Sequence, residues 1–212
     1  MALPLSREAR WVFIGDSITD CGRRQCPEEL GGGYVRLIRD ALYASQPDSA
    51  PLVLNRGSSG NRIEDLQNRW DEDVLALKPD LVSIKIGIND VWHQFSNEGR
   101  GGTSLEKFHE VFTDLLDQLR QAHPDCVVVL CEPSVIWPPA PEEGNARLQP
   151  YIEAVHDLAE KFNVRWRVPL HSAFEDGRTQ RPDIDWATDG VHPTSAGHML
   201  IARTWLAALG LL

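Results

Sequence analysis

Four short stretches carry residues whose types and spacing suit nucleophilic chemistry. Ser17 closes Gly15-Asp16-Ser17, Gly60 ends Ser58-Ser59-Gly60, and Asn89 lies in Gly87-Ile88-Asn89-Asp90. Asp189 and His192 share Asp189-Gly190-Val191-His192-Pro193. A serine hydroxyl is a weak nucleophile until a base takes its proton, and that base needs a partner to fix its tautomer. His192 can take the Ser17 proton. Asp189, three residues earlier on the same loop, can hold the other ring nitrogen and stabilise the imidazolium. The backbone N–H groups of Ser17 and Gly60, with the Asn89 amide, can donate to the oxyanion of a tetrahedral intermediate. Singly, each stretch has a plainer reading. Asp16 and Ser17 suit the cap of a following helix, Asp16 suits a brace for the turn, and Asp20 and Asp90 suit loop braces.

The hydrophobic pattern brings these stretches together. Residues 11–14 form an apolar run too short for a helix and bounded by Gly15, which reads as a buried parallel strand. Further strands are expected over 52–54, 81–86 and 127–130, and an alternating edge strand over 164–168. Between them fall helical patterns: Tyr34, Leu37, Ile38 and Leu42; Ile63, Leu66 and Trp70; then Leu105, Phe108, Phe112, Leu115 and Leu119, opened by a capping box at Thr103 and Glu106. Another carries Tyr151, Ile152, Val155, Leu158 and Phe162, its start blurred by Pro150. A loop of Gly, Ser and Asn follows Asp90, and a long polar loop precedes Asp189. Pro193 can open a last helix reaching about Leu209. Strands alternating with helices of this length give βα units, hence a parallel sheet covered on both faces. One three-layer α/β/α domain over residues 1–212 is expected. Ser17, Gly60 and Asn89 each follow a strand, at the carboxyl edge where open α/β sheets bind ligands.

Composition narrows the function classes. The chain has 212 residues, 42% hydrophobic and 25% charged, with a formal charge of −10. That charge repels phosphate backbones and anionic membranes, so neither nucleic acid nor a membrane is expected as partner. No apolar run approaches the length of a membrane helix, and the first residues lack the pattern of a signal peptide. Cys126 and Cys131 lie at an odd offset around one strand, on opposite faces. Cys21 and Cys26 have no partner pair at metal spacing. Reduced thiols and a cytoplasmic location follow as the simplest expectation. The acidic surface permits a homo-oligomer without specifying one.

In order and content the four stretches resemble the motif blocks of the SGNH hydrolases, also called GDSL esterases or lipases. Ile18 stands where that family usually has Leu. The resemblance spans essentially the whole chain and implies a flavodoxin-like sheet of about five parallel strands. It also implies metal-free ester hydrolysis through an acyl-serine intermediate, with no cofactor. Within the family, residues 13–22, 87–92 and 191–199 are most similar to bacterial intracellular acetylxylan esterases. The expected substrate is therefore a small acylated molecule, best an acetylated sugar such as a xylo-oligosaccharide. The alternatives are a short-chain arylesterase or thioesterase with the same machinery, and a non-catalytic flavin or phosphate binder on a flavodoxin-like sheet.

Trp92, Trp137 and Trp186 are expected on loops bordering the site, where their rings can stack on sugars or simply wall a pocket. Val191 is a further candidate contact. His198 falls on a different helix face from His192, so these two and Asp189 are not expected to form a metal site. His93, His109, His123, His156 and His171 read as surface or loop residues. Gly31-Gly32-Gly33 reads as a turn.

Overall fold

In the computed structural model of the chain, residues 2–95 and 101–212 are described. Its strands are β1 (Arg10–Gly15), β2 (Leu52–Gly57), β3 (Leu81–Lys85), β4 (Val127–Cys131) and β5 (Trp166–Val168). All pair in parallel, in the order β2-β1-β3-β4-β5. This is the flavodoxin-like order, and the winding reverses between β1 and β3. β1 is buried over residues 11–15 and β3 over its whole length, as expected for strands with helices on both faces.

The helices are α1 (Ser17–Asp20), α2 (Tyr34–Ser45), α3 (Ile63–Gln67), α4 (Trp70–Asp73) and α5 (Ile88–Trp92), then α6 (Leu105–Ala122), α7 (Gly144–Lys161), α8 (Leu170–Gln180) and α9 (Ser195–Ala208). α2, α8 and α9 pack together on one face of the sheet, and α3, α6 and α7 on the other. On the first face Trp205 of α9 packs its ring 5.7 Å from Trp11 and 5.2 Å from Phe13. On the second, Phe108 meets Phe112 and Tyr151 edge to face. The molecule is a three-layer α/β/α sandwich.

Four local expectations change. The helix expected through Ile63, Leu66 and Trp70 is broken at Asn68 and Arg69, because Arg69 turns its guanidinium toward the strand ends. The long polar loop before Asp189 contains α8, anchored by buried Leu170 and Phe174. α6 is capped by Ser104, which accepts from the Lys107 N–H, while the Thr103 hydroxyl donates to Glu64. α7 starts at Gly144, with Pro150 inside it. The loop expected after Asp90 includes residues 96–100, which lie outside the described residues.

Candidate active site

The position of Ser17 is built by one tight turn. A Cβ at Gly15 would overlap the Lys85 carbonyl and the Thr19 hydroxyl, so only glycine lets β1 run this close to its neighbours. Asp16 is fully buried and caps α1, its Oδ1 accepting the Ile18 N–H at 2.9 Å. Ser17 is the first residue of α1, and its N–H is among those a helix start leaves unpaired. Asp20 ties this turn to the next strand end. Its carboxylate accepts the Ser59 N–H and hydroxyl, and also the Arg23 N–H.

His192 arrives from the loop before α9. Ala187 and Pro193 form an antiparallel bridge, and Thr194 caps α9 while donating its hydroxyl to the Asp185 carbonyl. Gly190, at φ +81°, makes the turn between them and accepts the Trp137 N–H. Inside it, Asp189 Oδ1 accepts the N–H groups of Val191 (2.9 Å) and His192 (2.7 Å). Its Oδ2 is left for His192 Nδ1, at 2.6 Å. Burial pushes the Asp189 carboxyl up, but the His192 ring and the two N–H donors outweigh it, so the net shift is downward. An ionised carboxylate only accepts, so Nδ1 carries the ring proton and Nε2 presents its lone pair. Nε2 lies 2.8 Å from Ser17 Oγ. That is hydrogen-bond reach for a base withdrawing a hydroxyl proton.

The third side is formed by the turn after β2 and by α5, across the switch point of the sheet. Among the described residues neither the Ser17 nor the Gly60 N–H has an acceptor. Asn89 Nδ2 donates one hydrogen to the Asn61 carbonyl at 3.0 Å, leaving its second available. α5 grips the Gly60–Ile63 turn at two further points: Asp90 Oδ1 accepts the Ile63 N–H at 3.1 Å, and His93 Nε2 lies 3.4 Å from the Gly60 carbonyl. Arg69 braces the same corner through Gly15 O, Arg56 O and Asn61 Oδ1. Arg69 and His93 thus support the site, yet neither shows a sequence signal for it. His93, read from the sequence as a surface or loop residue, is the C-cap of α5 and is buried, its ring placed against the Gly60 carbonyl.

Burial raises the Asp90 carboxyl from its ordinary 3.8 to about 7, against the lowering effect of the Ile63 N–H. The folded state therefore binds a proton that the unfolded chain has released, and stability falls as pH rises from about 4 to about 7. The full span is worth about 4 kcal/mol. Asp90→Asn keeps an acceptor for Ile63 and removes the titration. Thermal unfolding should show the variant gaining on wild type between pH 5 and pH 8. A constant difference at both pH values would refute this assignment.

The remaining candidates are spread more widely. Trp92 and Trp186 are half-buried, the latter donating to the Arg181 carbonyl. Trp137 is wedged under the Asp189–His192 loop: it is 7% exposed, donates its ring N–H to Glu175, meets Phe174 edge-on and lies beneath the Arg178 guanidinium. Val191 is buried as well. His198 accepts the Tyr34 N–H and meets the Cys21 sulfur, and burial, followed by the charges of Lys85 and His192, lowers it to about 4. No group of three His, Cys, Asp or Glu side chains among the described residues is placed to hold a metal. A cavity of about 400 Å³ lined by Leu119, Pro124, Val127 and Val164 opens at the amino edge of β4, away from Ser17. His192 and Asp189 instead stand on an open face, each side chain 55% exposed.

Residues 13–200 match the model of the GDSL-like lipase/acylhydrolase family. The chain belongs to this family. This esterase is 37% identical over 210 residues to an acetylxylan esterase from Geobacillus stearothermophilus, covering 94% of this chain and 93% of the relative. A solved acetylxylan esterase from the same organism superposes with a TM-score of 0.87 at 34% identity, over 98% of this chain and 96% of that one. It has also been solved as two catalytic mutants, one with a serine and one with an aspartate replaced by alanine. An α/β hydrolase enzyme from the metagenome of Lake Arreo, Spain, gives 0.87 at 32% identity, over 100% of this chain and 99% of that one. Among the described residues no helix is long and apolar enough to cross a membrane.

Proposed function

We propose that this esterase removes acetyl groups from carbohydrate, with xylo-oligosaccharides as the substrate class, through a Ser17–His192–Asp189 triad. The observation that carries the chemistry is the unbroken chain Ser17 Oγ–His192 Nε2 (2.8 Å) and His192 Nδ1–Asp189 Oδ2 (2.6 Å). Ser17 Oγ attacks the ester carbonyl carbon as its proton passes to His192 Nε2. Asp189 stabilises the imidazolium without itself being protonated. The N–H groups of Ser17 and Gly60 and the Asn89 amide receive the oxyanion. Collapse breaks the ester C–O bond, and the sugar oxygen leaves with the proton held on His192. Water, deprotonated by the same ring, then releases acetate from the acyl-serine.

The substrate class draws support from the acetylxylan esterase relatives and from the open face around His192, which leaves room for a bulky alcohol. Trp92 and Trp186 retain exposed ring area for stacking on sugars. The test is acetate release from acetylated xylo-oligosaccharides, measured beside p-nitrophenyl acetate and acetyl-CoA. Preference for the oligosaccharide is expected. Cleavage of the aryl ester alone would remove the carbohydrate reading, and preference for the thioester would replace it.

A further inference from the structure

β3 is the central strand and its five residues are buried, yet it ends on a lysine. Lys85 is 0% exposed and its Nζ donates to Ser134 Oγ at 3.1 Å. No step of the proposed mechanism uses it. A lysine buried this deeply keeps its proton at lowest cost beside a compensating charge. Glu132, next along from the end of β4, is already engaged by His156 and by the His171 N–H. Asp16 is engaged on one side only. Its Oδ1 takes the Ile18 N–H, while its buried Oδ2 accepts no hydrogen bond among the described residues. The sheet register makes the two residues neighbours without a direct ion pair: Gly15 pairs with Lys85 and Asp16 is the next residue, yet among the described residues the ammonium makes no carboxylate contact within 4.0 Å and Asp16 Oδ2 stays unpartnered. Burial lowers the pKa of Lys85, and the charge of Asp16 is the largest effect opposing that.

We infer that Lys85 is the counter-ion of Asp16 and, through it, a positioning residue for Ser17. An ionised Asp16 is the stronger acceptor for the Ile18 N–H, and that bond fixes the first turn of α1, on which Ser17 stands. The charge of Lys85 acts on that carboxylate from behind the turn, where no substrate reaches. The inference rests on Ser17 being the nucleophile. A misplacement of about 1 Å at a reacting group is enough to slow a reaction about 100-fold.

A double-mutant cycle tests it, using Lys85→Met, Asp16→Asn and the pair together. Three quantities are read: melting temperature, kcat against KM for p-nitrophenyl acetate, and the rate of Ser17 labelling by an organophosphate per folded molecule. Asn at position 16 keeps an acceptor for Ile18 and needs no counter-ion, and Met keeps the length of the lysine stem. Each single substitution strands one buried charge and should lower kcat and labelling at least about 10-fold with KM little changed. The double variant, with no charge left to strand, should recover to within about 3-fold of wild type. Losses that multiply would overturn the pairing, as would a double variant that does not fold. A melting temperature that falls and recovers while kcat and labelling never change would overturn the positioning role. If a single variant does not fold, a folded and labelled double variant still carries the inference. Ser17→Ala run alongside separates the two claims, since turnover retained there refutes the nucleophile whatever the cycle gives.

Discussion

Asp189→Asn is expected to lower kcat about 10⁴-fold while leaving the fold and KM nearly unchanged. The size follows from the hydrogen bonds around the carboxylate. Its Oδ1 accepts two backbone N–H groups, from Val191 and His192. An asparagine must place its carbonyl there, so its NH₂ faces His192 Nδ1. A donor at that point forces Nδ1 to accept, and the ring proton moves to Nε2. Nε2 then has no lone pair for Ser17, although every heavy atom stays in place. Ser17→Ala and His192→Ala should each remove about 10⁶-fold from kcat, and combining them should remove no more, because the two groups act as one unit. The measurements are single-turnover rates on p-nitrophenyl acetate for the three single variants and the Ser17/His192 double. Independent, multiplying effects would rule out the shared proton path. An Asp189→Asn loss under about 10-fold would rule out the tautomer argument, since that loss is what a wrong tautomer produces.

What could be read in advance was whatever local chemistry decides. Apolar runs ending at Gly15 and at Gly87 locate two strand ends, and the sheet order then places Ser17 and Asn89 on either side of the switch point. The Asp189–His192 pairing is contained within one turn, so spacing alone announces it. The features that escaped depend on distant partners. Arg69 breaks a helix because Gly15 O, Arg56 O and Asn61 Oδ1 converge on it from other elements. His93 is buried because the Gly60 turn happens to lie over it. α8 is a different case: Leu170, Ala173, Phe174 and Gly177 repeat at helical spacing on the face against α9, a signal present but diluted by polar neighbours. Lys85 contradicts the apolar rule for a central strand, and contradictions of that kind concentrate where a site makes demands on the core.

Asn89→Ala is expected to lower kcat about 100- to 1,000-fold, the loss of about 2.7–4 kcal/mol typical for one oxyanion donor. The proposed mechanism gives Asn89 two jobs, and they can be separated. One Nδ2 hydrogen holds the Asn61 carbonyl and thereby the turn that presents Gly60. The other is free for the oxyanion. Asn89→Asp keeps the size of the side chain but turns a donor into an acceptor of negative charge, which repels both the Asn61 carbonyl and the oxyanion. It should be slower than Asn89→Ala. If Asn89 only braced the turn, KM and melting temperature would move together with kcat in both variants. If it donates to the oxyanion, kcat falls at nearly constant KM in the alanine variant, since the carbonyl oxygen of the ground state carries little charge. Labelling by an organophosphate is the deciding readout, because the bound phosphoryl oxygen places its charge where the tetrahedral intermediate does. Labelling should slow in the same proportion as kcat. Labelling at the wild-type rate with slow turnover would remove Asn89 from the oxyanion site and leave that task to the N–H groups of Ser17 and Gly60.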